Sequence, residues 1–179
     1  MKIALFGGSF DPPHLGHEAV VQALTSLDEI DKIVIMPTFL NPFKSSSFAP
    51  PKRRLRWLKE IFAPYKNVFI DSFEVDSGQK VPTLTTVKYL LENYERVYLV
   101  IGADNLKTLH KWHKFELLKE MVTFVVASRD GIKIPSEFIQ LKVREDVSST
   151  MLRENINTNR LSAVNAQEIM NYYKEKNDN

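Results

Sequence analysis

Two histidines, His14 and His17, stand three residues apart in the stretch Gly7-Gly8-Ser9-Phe10-Asp11-Pro12-Pro13-His14-Leu15-Gly16-His17. An imidazole can donate a hydrogen bond, accept a proton or ligate a metal, and its surroundings decide among these. Ile3-Ala4-Leu5-Phe6 leads into the stretch as a continuous apolar run, the pattern of a strand buried on both faces of a parallel sheet. Gly7 and Gly8 end that strand; they are read as taking backbone angles closed to other residues and as letting a ligand approach the main chain. The paired prolines start no helix, and a helical stripe of Val20, Val21 and Leu24 follows them. Both histidines therefore fall at a first helical turn, where unpaired N–H groups and the positive end of the helix dipole favour an anion. A polyphosphate is the ligand this suggests. Helix capping is the alternative for either imidazole alone.

Other chemistries lack their residues. No G-x-G-x-x-G and no G-K-[ST] occurs, which removes the dinucleotide-binding turn and the P-loop. His110 and His113 repeat the three-residue spacing, but there is no cysteine, no H-E-x-x-H and no evident carboxylate set to complete a metal site.

A second cluster lies near the other end of the chain, in Ser148-Ser149-Thr150-Met151-Leu152-Arg153. The serines are good N-cap residues, and Arg153 lies one helical turn beyond Ser149. Hydroxyls, N–H groups and a guanidinium on one helix end make a second anion site, expected to face the first. Ordinary capping is the competing reading. Between the clusters, Gly102-Ala103-Asp104 follows the apolar run Val97–Ile101, and a glycine followed by an acid at a strand end suits ribose hydroxyls. A helix cap is the alternative for Asp104.

Gly7 to His17 resembles the G-x-F-x-P-x-H-x-G-H motif of the nucleotidylyltransferase superfamily, and its fuller wording is similar to bacterial nicotinate-nucleotide adenylyltransferases. Ser148 to Arg153 resembles the superfamily's Ser-Ser-Thr-x-x-Arg element. Asn41-Pro42-Phe43-Lys44 resembles an Asn-Pro-x-Lys element whose lysine lies close to substrate phosphate, against the plain reading of Lys44 as a surface lysine. Gly102 to Leu106, followed by Trp112, resembles a Gly-x-Asp-x-Leu element, and implies that Trp112 faces a pyridine ring rather than merely packing at the core's rim. Arg129-Asp130-Gly131 is similar to the family's Arg-x-Gly, with Asp130 where proline is frequent; a salt-bridged surface arginine is the alternative. Thr83 to Thr86 departs further, with Pro82 and Thr85 where tyrosine and Asp or Gln are common. That leaves backbone amides and Thr83 to read a carboxylate.

The resemblance implies transfer of the adenylyl group of ATP to nicotinate mononucleotide, with Mg²⁺ bridging the phosphates, on a doubly wound Rossmann-like α/β parallel sheet. It implies an ATP site of Gly7, Gly8, Ser9, Phe10, His14, His17, Gly102, Asp104, Ser148, Ser149, Thr150 and Arg153, with His14, His17 and Arg153 catalytic. Lys44, Thr83, Thr85, Trp112 and Arg129 would hold the mononucleotide, and no residue is assigned to metal. A histidine beside phosphate is expected to favour its protonated form. The alternatives are a different phosphorylated acceptor, nicotinamide mononucleotide or phosphopantetheine, and a non-catalytic nucleotide sensor.

Elements to position these residues can be read along the chain. Strands are expected at Ile3–Phe6, Lys32–Met36, Val68–Ile70, Val97–Ile101 and Phe124–Ala127, alternating with helices as in α/β proteins. The loop from Thr38 to Pro51 is long enough to be functional or mobile. Lys52 to Arg56 opens a helix with Leu55, Leu58, Ile61 and Phe62 as its stripe; its charges are read as a solvated face rather than an RNA or membrane site. A last helix, Ala163 to Lys174, is expected to pack through Val164, Ile169 and Tyr172 or Tyr173, with a polar tail to Asn179 that frays. The part from about 148 to 175 is expected to close the site of one domain spanning 1–179.

The 179 residues include 24 basic and 22 acidic side chains, a near balance that gives no sign of a nucleic-acid partner. Apolar residues make up 44%, yet no run reaches membrane-spanning length, and no cleavable leader is expected. Absence of cysteine is compatible with the expected cytoplasmic location. Monomer and homo-oligomer both remain open.

Overall fold

The computed structural model describes residues 1–129, 131–143 and 148–178; Asp130 and Asn179 lie outside them. Six parallel strands form one sheet in the order β3-β2-β1-β4-β5-β6. They are β1 (Lys2–Gly8), β2 (Lys32–Pro37), β3 (Val68–Ile70), β4 (Arg96–Gly102), β5 (Thr123–Ala127) and β6 (Ile139–Leu141). The helices are α1 (Leu15–Leu24), α2 (Pro51–Phe62), α3 (Phe73–Asp76), α4 (Thr83–Leu91), α5 (Phe115–Met121), α6 (Ser149–Glu154) and α7 (Ala166–Asn177). This is the doubly wound Rossmann-like arrangement, with its chain reversal between β1 and β4.

The apolar runs explain the two layers. Successive side chains of a strand point to opposite faces. Ala4 and Phe6 accordingly join Ile33, Ile35 and Val100 beneath Val21 and Leu24 of α1 and Leu58 and Ile61 of α2. Ile3 and Leu5 join Val34, Leu99 and Val126 against Leu84, Val87 and Leu90 of α4 and Leu118 of α5. Burying each large aliphatic side chain contributes roughly 1.5–3 kcal/mol, so strands apolar on both faces are held from both sides. Placing a charge at Leu5, 1% exposed, would break this layer.

A third cluster unites the C-terminal part with the rest: Leu152, Leu161, Ile169 and Tyr173 pack on Trp57 and Ala49. Asn165 Nδ2 donates to the Trp57 carbonyl at 3.3 Å, and Trp57 Nε1 donates to Glu168 at 3.0 Å.

Several expectations are corrected here. β1 runs through Gly8, paired to Pro37, so the glycines are extended strand residues. The residue of the motif in the left-handed region is Phe10, with φ 48°. The helix at Thr83 begins after Pro82 without a side-chain cap. Arg54 belongs to no solvated face, being 0% exposed. The last helix starts three residues later than expected and continues to Asn177, with Val164 60% exposed. No helix among the described residues is long and apolar enough to cross a membrane.

Candidate active site

At the carboxyl ends of β1 and β4 two cavities adjoin, sharing Phe6, Gly7, Gly102 and Asn105 in their walls. This is the crevice where the strand order reverses, and open α/β sheets take their ligands there. Gly7 and Gly102 add no side chain to the shared wall, and Asn105 Nδ2 donates to the Gly102 carbonyl at 3.1 Å, fixing the turn after β4.

The first cavity, about 370 Å³, is lined by Gly8, Thr38, Glu74, Thr83, Thr86 and Trp112, with Asn41, Pro42 and Phe43 of the long loop at its edge. Of the residues expected beside a mononucleotide, Thr83 and Trp112 are here. Thr85 is exposed, and the neighbouring Thr86 takes the inward position instead, 1% exposed. Thr86 donates to Glu74 at 2.6 Å. Burial, partly offset by this bond, pushes the Glu74 carboxyl up to about 7. Thr38 contributes a buried hydroxyl with no hydrogen-bond partner among the described residues.

The second cavity, about 270 Å³, is lined by His14, His17, Asp104, Arg129, Ser148 and Ser149. His14 is the N-cap of α1. Its backbone N–H donates to His17 Nδ1 at 3.1 Å, and the two rings stack with centroids 3.7 Å apart. Because Nδ1 of His17 accepts, a neutral His17 must carry its proton on Nε2, where it is a hydrogen-bond donor. Phe10 supports this from behind: it is 2% exposed, with its ring 4.7 Å from the His17 ring and 5.4 Å from Phe6. A Cβ on Gly8 would press the Phe10 ring at 3.3 Å, so the glycine leaves room for that support.

Desolvation disfavours the charged form of both imidazoles, whereas the protonated form expected above is that of a histidine beside phosphate. Burial, then the nearby Arg129 charge, lowers His14 to about 3. Burial, then His14, holds His17 well below its usual range.

Arg129, expected beside the mononucleotide, lines this second cavity and pairs with the Asp104 carboxylate, which was expected on ribose. The two ends of the chain meet here as well. Ser149 Oγ donates to the Pro12 carbonyl at 2.9 Å, and Arg153 donates to the Asp11 carbonyl at 2.6 Å. Arg153 also donates to Thr150 Oγ1 at 3.2 Å and stands over the Phe48 ring at 4.8 Å. Ser148 caps α6 by accepting from the Met151 N–H at 3.2 Å. Arg153 and Thr150 are thus joined to the histidine turn through its backbone, outside the wall of the second cavity. Lys44 lies on the long loop with its side chain partly covered, and this desolvation, then the Arg153 charge, lowers its pKa.

Sequence reasoning missed two buried charged residues, Arg54 and Asp11, that tie together the segments leading into the site. Arg54 donates to the carbonyls of Ser9, of Thr38 at 2.8 Å, of Phe39 at 3.0 Å and of Ala49 at 3.0 Å. It thereby ties the exits of β1 and β2 to the end of the long loop. Asp11, 3% exposed, accepts from the N–H groups of Phe48 at 2.8 Å and Ala49 at 3.0 Å and from the Tyr173 hydroxyl. Ser9 serves through its carbonyl. The missed signal for Arg54 was periodicity, since 54, 58 and 61 fall on one helical face.

Among the described residues no group of three His, Cys, Asp or Glu side chains stands where it could hold a metal ion. Asp104 is engaged by Arg129. These residues do not fit a resident metal.

The sequence profile described as cytidylyltransferase-like matches residues 5–155. The "probable nicotinate-nucleotide adenylyltransferase" of Sulfurimonas denitrificans is 58% identical over 97% of this chain and 96% of its own. A protein of the same name from Campylobacter jejuni is 47% identical, covering 98% of each chain. In fold, the chain is similar to Plasmodium falciparum nicotinic acid mononucleotide adenylyltransferase complexed with NaAD, at a TM-score of 0.80 and 21% identity over 99% of this chain and 98% of that one. Identity of that order along nearly the whole of both bacterial relatives means that the chain belongs to the nicotinate-nucleotide adenylyltransferase family.

Proposed function

We propose that the chain transfers the adenylyl group of ATP to nicotinate mononucleotide, giving nicotinate adenine dinucleotide and pyrophosphate. The observation that carries this reading is the pair of cavities meeting at Gly7 and Gly102, one holding Trp112 and the other holding His14, His17 and Arg129. Two substrates that must touch need two compartments that adjoin, and the glycines at the shared wall leave room for the approach.

The mononucleotide occupies the first cavity, with its pyridine ring against Trp112 and Thr83 near the ring carboxylate. Its phosphate points towards the common wall. ATP lies over α1 and the second cavity. A phosphate oxygen of the mononucleotide attacks the α-phosphorus in line, forming the new P–O bond as the bond to the β-phosphate oxygen breaks and pyrophosphate leaves. The nucleophile is already anionic, so no strong general base is required. Alignment and charge stabilisation are what the protein must supply.

His17 donates from Nε2 to the phosphates, and His14, stacked on it, turns from neutral towards protonated as the anion arrives. Ser148, Ser149, Thr150 and Arg153 hold the β and γ groups, and Lys44 swings in from its exposed loop. Arg129 serves the ATP side, and Asp104 passes from Arg129 to a ribose hydroxyl. Mg²⁺ enters with ATP as part of the substrate. The part from about 148 to 175 closes the site over the triphosphate, and the location proposed is cytoplasmic.

Pyrophosphate release, measured with ATP and nicotinate mononucleotide, nicotinamide mononucleotide or phosphopantetheine in turn, tests the reading. The acid mononucleotide should be turned over fastest. Release with none of the three would leave a nucleotide sensor.

A further inference from the structure

The first cavity contains an ionisable group that the reaction above does not use. Glu74 comes from the short helix α3, is 5% exposed and lines the same 370 Å³ as Thr83 and Trp112. Thr86 of α4 is its one hydrogen-bond donor among the described residues, at 2.6 Å on Oε1. A carboxyl so placed is part of the wall around any ring bound in this cavity.

We propose that Glu74 is a specificity-determining residue: a ring bearing a carboxylate binds with Glu74 protonated, so the preference for acid over amide is coupled to uptake of one proton from solvent. The inference rests on the mononucleotide reading of this cavity. Two carboxylates in one desolvated space cannot both be ionised without a large penalty. Protonated on its second oxygen, Glu74 can donate to the substrate carboxylate while Oε1 still accepts from Thr86. Ionised, it repels the acid and accepts from the N–H of an amide instead.

The groups around it support this. Burial, with the nearby Asp71 charge, raises the Glu74 carboxyl to about 7, despite the Thr86 bond. Asp71 is itself reached by the Tyr89 hydroxyl at 3.4 Å, and Asp76, on the same helix, accepts from Ser72 at 2.6 Å. Lys80 donates to the Pro42 carbonyl at 3.3 Å, at the cavity's edge. His113, exposed, is the other titratable group on the wall.

The test compares kcat/KM for the acid and amide mononucleotides from pH 6.5 to 9. Both carry the same phosphate and both use ATP, so those titrations cancel in the ratio. The acid-to-amide ratio should fall above pH 7, approaching about tenfold per pH unit. Glu74→Gln keeps an acceptor for Thr86 and supplies a permanent donor, so its ratio should be flat while acid turnover persists. His113→Gln should retain the slope. A flat ratio in the natural chain, or a slope surviving in Glu74→Gln, overturns the inference. Loss of pyrophosphate release with both mononucleotides would instead overturn the reading on which it rests.

Discussion

Asp11 and Tyr173 meet although 162 positions separate them, the buried phenol donating to a buried carboxylate oxygen. Burial, followed by the Asp11 charge, raises the phenol far above its ordinary range, so it remains a donor at any working pH. The same carboxylate holds the loop amides of Phe48 and Ala49, and Tyr172 donates to the Phe48 carbonyl at 3.1 Å. α7 therefore does more than close the fold. It fixes the end of the long loop and, through Asp11, the histidine turn.

Tyr173→Phe keeps the ring packed on Trp57 and removes only the hydroxyl. It should destabilise the protein by about 1.5–3 kcal/mol, the usual range for a hydrogen bond to a charged group. Urea unfolding monitored by tryptophan fluorescence reads this directly. A change below about 0.5 kcal/mol would mean that the two loop amides satisfy Asp11 unaided.

His17 is placed to act through a single proton. Its Nδ1 is occupied by the His14 N–H, which leaves Nε2–H as the donor, and Phe10 limits rotation of the ring. His17→Ala should lower kcat by about a hundredfold or more while changing the KM for ATP little, the pattern of an interaction made chiefly in the transition state. Initial-rate kinetics with saturating mononucleotide check it. Unchanged turnover removes His17 from the mechanism.

The strands β1 to β5 were legible because each is a short apolar run, and burial on both sheet faces requires that composition. β6 was not: only Leu141 of its three residues is buried, so no run exists to be seen. α3 and α5, four and seven residues long, are too short for a helical stripe to emerge. In the site, the histidine turn and the Ser148–Arg153 segment were readable as local motifs. What stayed hidden depends on distant partners. Arg54 looked like one charge in a basic run until the Ser9, Thr38, Phe39 and Ala49 carbonyls surrounded it. Thr85 and Thr86 are equivalent in sequence, and only the phase of α4 turns the second one inward. Arg129 follows β5, and its cavity is set by Asp104 on the neighbouring strand's exit, a relation no single segment contains.

Burial of His14 ties the stability of the fold to acid. His14 is lowered to about 3 in the folded chain from an ordinary 6.5, which the unfolded chain retains. Between those values the unfolded state binds one more proton than the folded state, so stability falls as pH falls. The stability is fully present above about 6.5 and is lost progressively towards 3, by about 1.4 kcal/mol per pH unit once well inside the window. Other groups titrate there too, above all His17, which remains in the variant. The comparison is therefore between slopes: unfolding free energies measured from pH 7 to 5 for the natural chain and for His14→Asn. The natural chain should show the steeper loss, and saturating ATP, by favouring a protonated imidazole, should shallow it. Parallel slopes for the two proteins would mean that His14 is already charged in the folded state, and that the anion finds a cationic pair waiting rather than creating one.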